Sequence, residues 1–236
     1  MKKLLTICVL VISTYGICAA QKINVMFHMG AGTFSMKTQK QLQQDVRESV
    51  IPWRPVHEFE PYWIYGGSLS FNINPRVGVS AYFEYGSTGG TLHYSDYSGS
   101  ARFDQLLRYK EWGVGSFLQI NRSERWPLFV TGHILLAYTR ETVSYSVHLG
   151  ATEEGLSEQL RSTSFGLRPG VMMRHRLKAF VFQGNMGMEV HFPGELANID
   201  GNGFSLQNGN AVNAQWSGLR ATLGVGLTLG KKKAAN

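Results

Sequence analysis

A period-two alternation recurs along this chain and constrains its fold more than any other feature. In the last such segment Leu219, Ala221, Leu223, Val225, Leu227 and Leu229 share one face, while Arg220, Thr222, Gly224, Gly226 and Thr228 share the other. The first segment matches it: Val25, Phe27, Met29 and Ala31 alternate with Asn24, Met26, His28, Gly30 and Gly32. Alternation of this kind is the signature of β-strands. Six more segments lie between. They carry Trp63 to Ile73, Val77 to Tyr85, Trp112 to Ile120, Leu128 to Tyr138, Phe165 to Met173 and Phe180 to Phe192. With 43% hydrophobic and 17% charged residues the chain is not a disordered one. Beyond the N-terminus no apolar run approaches the ~18 residues of a membrane-spanning helix.

The connections alternate in length. Asn74-Pro75-Arg76, residues 121–125 and residues 174–178 read as tight turns. Residues 37–60, 87–103, 144–162 and 193–214 read as four long loops. Within the third, residues 151–161 (ATEEGLSEQLR) have helical propensity. Strands joined this way meander, with tight turns at one end and long loops at the other. The expected fold is all-β, an eight-stranded antiparallel up-and-down transmembrane β-barrel.

Which face points outward is decided by the polar face. A solvated face is dense in Lys and Glu. This one carries Gly30, Gly32, Gly78, Gly113, Gly115, Gly166, Gly170, Gly224 and Gly226, and the body between residues 22 and 230 has only five lysines. Glycines suit the crowded inside of a small closed barrel. The apolar face is therefore expected to meet lipid. Four charges on the polar face, Glu84, Glu111, Arg168 and Arg220, fall at one depth when counted from the nearest turn or terminus. They are expected to neutralise one another as a structural polar cluster in the lumen. His28, His133, Tyr82, Tyr109, Gln183 and Asn185 lie at or near that layer. Trp63, Tyr85, Trp112, Tyr138, Phe192 and Trp216 near the long loops, and Phe71, Trp126 and Phe180 near the short turns, are expected to form two interfacial girdles.

Residues 1–20 read as a secretory signal: Lys2 and Lys3, an apolar stretch from Leu4 to Ile12, then small residues before Gln21. Lipidation at Cys18 is disfavoured by bulky Ile17. Both cysteines, Cys8 and Cys18, lie in this segment, so the chain after it has no disulfide and no cysteine ligand. The formal charge of +7 falls to +5 without Lys2 and Lys3, and to +2 without Lys231, Lys232 and Lys233. That leaves no basic stripe for nucleic acid. Residues 21–230 are the expected barrel and 231–236 a basic tail.

With its signal, eight alternating segments and turn asymmetry, the chain resembles the small outer-membrane β-barrel proteins, similar to the OmpA transmembrane domain and to OmpX. The resemblance covers residues 21–230 and names an architecture rather than an activity. It implies the cell outer membrane of a Gram-negative-type bacterium, both termini periplasmic, with outer-membrane lipids and the barrel-assembly machinery as partners. Such chains usually end their last strand on an aromatic residue, whereas this one ends it at Leu229-Gly230. A structural or surface-interaction role follows, with an extracellular ligand or protein at the long loops and a plugged interior. Two other readings stay open: a narrow channel or carrier of small apolar molecules, as in the OmpW group, and a soluble exported lipid-binding barrel.

No enzyme is expected. No G-x-S-x-G, Walker A, H-E-x-x-H or EF-hand pattern occurs. His93-Tyr94-Ser95 is similar to the His-x-Ser pair of the lipid A deacylases, but it lies in a loop, and the neighbouring Asp96 is no measure of geometry. Glu84 and Glu111 read as counterions to arginine rather than a catalytic pair. His28 and His133 lack ligand-spaced partners, so no metal and no cofactor are expected.

Overall fold

The computed structural model describes residues 23–48, 53–57, 59–149, 152–192, 194–203, 205–206 and 208–229. The expected signal and basic tail lie outside them. The elements in chain order are β1 (Ile23–Gly32), α1 (Lys37–Arg47), β2 (Arg54–His57), β3 (Tyr62–Asn72), β4 (Val77–Ser95), β5 (Gly99–Gln119), β6 (Leu128–Leu149), β7 (Thr152–Leu177), β8 (Phe180–Phe192), β9 (Gly194–Glu195), β10 (Asn213–Ala214) and β11 (Gly218–Leu229).

Eight of these strands close into an antiparallel ring. β4 pairs with β3, β3 with β1, β1 with β11, β11 with β8, and then β7, β6 and β5 lead back to β4. The closing seam joins the first and last strands over their whole length, from Ile23 opposite Leu229 to Gly32 opposite Arg220. Closure leaves no unpaired edge along the height that all eight strands share. All eight expected segments are strands of this ring.

The tight turns sit at one end. Asn74 Oδ1 accepts the backbone N–H groups of Arg76 and Val77 at 2.8 and 2.7 Å. Asn121 Oδ1 accepts the Leu128 N–H at 2.9 Å while its Nδ2 donates to the Trp126 carbonyl at 2.8 Å. Asparagine side chains substitute here for missing backbone partners, as they do in Asx turns.

The other end departs from the expectation of four long loops. Residues 87–103 and 144–162 are the upper halves of two long hairpins. β4 and β5 run 19 and 21 residues, and β6 and β7 run 22 and 26, against the ~10 that a tilted strand needs to span a bilayer. Residues 152–161, read from propensity as helical, are strand because each pairs with β6, from Thr152 opposite Leu149 to Arg161 opposite Arg140. Tertiary pairing overrides local propensity.

The polarity of these strands inverts part-way up. On β6 the outward Val130, Ile134 and Leu136 give way to Arg140, Thr142, Ser144 and Ser146. On the inner face, upper residues such as Leu92, Phe103, Leu107 and Leu160 are apolar and buried. That apolar inner face is covered by the two remaining connections. Met36 and Leu42 from the α1 segment, Phe59, and Leu196, Leu206, Val212, Ala214 and Trp216 from residues 194–217 pack with Leu107, Tyr109 and Leu160 into one buried cluster. Trp53 packs with Leu92, Ala101 and Phe103 in a second. β3 ends at Tyr62, and β2 pairs with the upper edge of β4 that this leaves, Arg54 opposite His93.

The tip of the β4–β5 hairpin is held by one carboxylate. Asp96 Oδ1 accepts the Ser98 N–H and hydroxyl at 2.8 and 2.7 Å, and Oδ2 accepts the Tyr94 hydroxyl at 2.6 Å. The Tyr94 hydroxyl and then Ser98 hold the Asp96 carboxyl down at about 2. A depressed carboxyl pKa stabilises the native turn above the unfolded value and loses that contribution as pH falls through the native one. The Gly99 amide, also bonded to Asp96 Oδ1, should therefore keep its protection from exchange near pH 4 and lose it towards pH 2. In Asp96→Ala that protection should be absent at neutral pH. An Asp96 carboxyl titrating at the ordinary carboxylate value would contradict this.

Candidate functional site

At the height of the apolar band, the ring's inner face gathers ionisable side chains that the outer face there lacks. Glu84 on β4 and Glu111 on β5 are direct cross-strand partners, an arrangement that is unfavourable for two like charges alone. Arg168 on β7 reaches across the lumen to both. Its Nη2 lies 2.6 Å from Glu84 Oε2 and 2.6 Å from Glu111 Oε1, and its Nη1 donates to Glu84 Oε1 at 3.0 Å. A third acid, Glu189 on β8, takes the Arg168 Nε at 2.6 Å and also contacts Nη2. Arg220 on β11 pairs with Glu189 Oε2 at 2.5 Å. His28 Nε2 lies 3.1 Å from Glu84 Oε1, and His191 Nε2 lies 3.4 Å from carboxylate oxygens of Glu111 and Glu189. Tyr82 donates to Glu111 Oε1 at 3.2 Å and lies under the Arg168 guanidinium, 4.6 Å from centroid to Cζ. The count is three carboxylates against two guanidiniums, with two imidazoles beside them.

The sequence-read residues therefore separate. Glu84, Glu111, Arg168, Arg220, His28 and Tyr82 converge. Tyr109 sits just above, its ring tilted against Trp216 with centroids 4.4 Å apart. His133 stands apart, bonded to Ser80 Oγ at 2.9 Å. Gln183 and Asn185 lie lower, Gln183 accepting from Arg174 at 2.9 Å and Asn185 donating to Thr222 at 3.2 Å. Glu189 and His191 were missed, although Met188, Val190 and Phe192 point outward and parity alone places both inside. Trp216 also needs correcting as a girdle residue. It is fully buried, because it precedes β11 and strand parity does not govern it.

Two backbone features make room for the cluster. A Cβ at Gly113 would run into the Tyr82 ring, and one at Gly66 into His28 and Glu84. The β7–β8 ladder pairs Leu167 with Val190 and resumes at Gly170 with Gly187. Pro169 lies in the gap and offers no N–H. The Arg168–Glu189 ion pair joins the same two strands there.

Below the cluster lies a cavity of about 60 Å³ lined by His28, Ser70, Ser80, His133, Arg174 and Gln183 among others. That volume has room for roughly a handful of waters at ~10–15 Å³ each. Lower still, Phe117, Phe129 and Met172 are buried together, with the Arg174 guanidinium 5.1 and 5.4 Å from the two phenyl centroids.

Among the described residues the metal-ligand-like grouping is Glu111, Glu189 and His191, whose ligand atoms lie within 4.8 Å of one another. Arg168 and Arg220 already bind those carboxylates, so a cation there would compete with two guanidiniums. At the hairpin tip, the Asp96 carboxylate is taken up by Tyr94 and Ser98 and does not orient His93 towards Ser95.

The outer face has the opposite character. Leu223 is 73% exposed, Ile134 and Phe165 62% each, while Glu111 and Glu189 are fully buried. From Leu219 to Leu229 the outward residues of β11 are all Leu, Val or Ala. Those ten steps make a band about 25 Å tall at ~3.3 Å per residue and ~40° tilt, the height of a membrane's hydrocarbon. Trp63, Trp112 and Phe192 are exposed at its upper edge, and Trp126 and Phe180 at its lower edge. The chain is a transmembrane β-barrel. A soluble lipid-binding barrel would have its apolar residues inside.

Known proteins add likenesses to this barrel. No family model and no curated protein matches it. Among solved structures it is similar to a major outer membrane protein from Thermus thermophilus, at 13% identity and TM-score 0.46 over 89% of this chain and 100% of that one. It is similar to Ail, the attachment invasion locus protein of Yersinia pestis, at 11% identity and TM-score 0.36 over 89% and 99%. It is similar to the outer membrane protease OmpT from Escherichia coli, at 9% identity and TM-score 0.37 over 90% and 98%.

The band itself is open to test. Leu223→Arg places a charge near its mid-height and should cost about 2–4 kcal/mol of folding stability in phospholipid. Leu219→Arg at the upper rim should cost about 1 kcal/mol or less. Equal losses at the two depths, read from urea midpoints, would contradict the membrane placement.

Proposed function

We propose that this barrel resides in the outer membrane of a Gram-negative-type bacterium, closed to solutes, and acts as a structural or surface-interaction protein. Its termini and short turns face the periplasm. The upper hairpins and the segments packed between them form its extracellular part, where a ligand or protein would be met. The barrel-assembly machinery would insert it.

The observation that supports closure is the filling of the lumen at three levels. The apolar cluster around Trp216 lies above, the Arg168 cluster in the middle, and Phe117, Phe129 and Met172 below. The intervening cavity of about 60 Å³ is too small for a solute path. A surface role is favoured because four strands continue far past the band, and that length is not needed to span a bilayer.

The test is a planar-bilayer recording on the refolded protein, alongside gel mobility before and after boiling. Heat-shifted mobility with no stepwise conductance is expected. Steady conductance from the wild-type barrel would overturn closure. Recovery of the protein as soluble periplasmic material would overturn the location.

A further inference from the structure

Just above the apolar band the outer surface of the long strands carries a row of cations. Arg108 on β5 lies directly opposite Arg140 on β6, and Arg140 lies directly opposite Arg161 on β7. Adjacent strands are ~4.8 Å apart, so the backbone positions of the three arginines span about 10 Å. Directly opposed like charges weaken strand pairing. Arg108 and Arg140 are exposed and Arg161 half-buried. None of the three makes an ion pair among the described residues, unlike Arg102, which pairs with Asp104 at 2.6 Å.

What lies beneath the row identifies its surroundings. Two residues lower are Lys110, Tyr138 and Thr163, mutually paired, and two lower again are Trp112, Leu136 and Phe165. All of that last trio are exposed apolar side chains. Two residues correspond to ~5 Å of height, so the arginine row overlooks the band's edge at headgroup depth. On the other side of the barrel the outward upper ends are Phe192, Leu219, Ala31 and Trp63, with no cation among them. Among the outward residues of the ring strands at this rim, the described cations belong to β5, β6 and β7.

We infer that Arg108, Arg140 and Arg161, with Lys110, bind the phosphate groups of an anionic lipid in the surrounding leaflet, whose acyl chains lie on Trp112, Leu136 and Phe165. Guanidinium forks match phosphate oxygens in bidentate fashion, and a phosphorylated lipid relieves the repulsion within the row. A free phosphate would meet the same arginines but nothing would hold it to the apolar residues below. The assignment rests on the outer-membrane reading above, because it needs a phosphorylated lipid at this rim.

The experiment is native mass spectrometry of the detergent-solubilised barrel titrated with bis-phosphorylated lipid A, with dephosphorylated lipid A and with inorganic phosphate. The variant is the triple Arg108→Gln, Arg140→Gln, Arg161→Gln. Its control is Arg76→Gln, Arg122→Gln, Arg125→Gln, which removes as many charges from the opposite rim. The first triple should bind bis-phosphorylated lipid A at least about tenfold more weakly than wild type. The control should stay within about twofold, and dephosphorylated lipid should not distinguish the proteins. Undiminished binding by the first triple, equal loss in both, or inorganic phosphate binding as tightly as the lipid would each overturn the inference. Heat-shifted mobility read on the same samples keeps the two questions apart: its absence in wild type sinks the membrane reading, whereas its presence with unchanged lipid binding sinks only the site.

Discussion

Replacing Arg168 with methionine should cost roughly 3–5 kcal/mol of barrel stability, the expected price of stripping a buried charge network of its central partner. Arg168 contacts Glu84, Glu111 and Glu189 at once. The variant would leave three enclosed carboxylates facing one remaining guanidinium. Equilibrium unfolding in urea, followed by gel mobility, should show a lower midpoint with an unchanged slope. Adding Glu84→Gln and Glu111→Gln to the same chain should restore much of the loss, since these contacts are shared and the substitutions are not additive. An unfolding free energy within about 0.5 kcal/mol of wild type would show that the cluster is not held together by its charges.

Trp216→Ala should have the second largest effect, confined to the part of the barrel above the band. The indole packs on Tyr109, Tyr62 and Phe34 at centroid distances of 4.4, 5.2 and 6.0 Å, and its Nε1 donates to Thr139 Oγ1 at 2.8 Å. Truncating a fully buried aromatic side chain costs about 3–5 kcal/mol. Arg220 Nη2 donates to the Trp216 carbonyl at 2.8 Å, so the residue also ties the upper cluster to the ion network. Residues 194–217 should lose protection from amide exchange and become sites of proteolysis, while heat-shifted mobility persists because the eight-strand ring is untouched. Protection equal to that of wild type would mean the segment is held elsewhere.

These two residues mark where sequence reading succeeded and where it stopped. Within the band one rule operates: alternate residues meet lipid and lumen. The eight strands, the outward Leu223 and Val225 and the inward Arg168 and Glu111 were legible for that reason. Glu189 and His191 obey the same rule and could have been found by extending parity along β8. Above the band the rule reverses. Leu92, Phe103, Leu107 and Leu160 turn inward and arginines turn outward, so alternation counted with a lipid-facing phase ends too early and long strands are read as loops. The strand character of residues 152–161 depends on β6 as partner, and Trp216 is buried by segments distant in sequence. Neither leaves a local trace.

The reversal of polarity along β5 and β6 also sets the height at which the barrel floats. Sliding it towards its tight turns by one side-chain repeat, ~5 Å, would pull Lys110 into hydrocarbon and a second repeat would pull in Arg140, while sliding it the other way would wet Leu136 and Trp112. Both displacements are uphill, so a bilayer thicker or thinner than the ~25 Å belt would have to adjust its own thickness around a fixed cylinder. A protein of this build is expected to gather lipids of matching length around it and to resist tilting, because two strands draw the waterline.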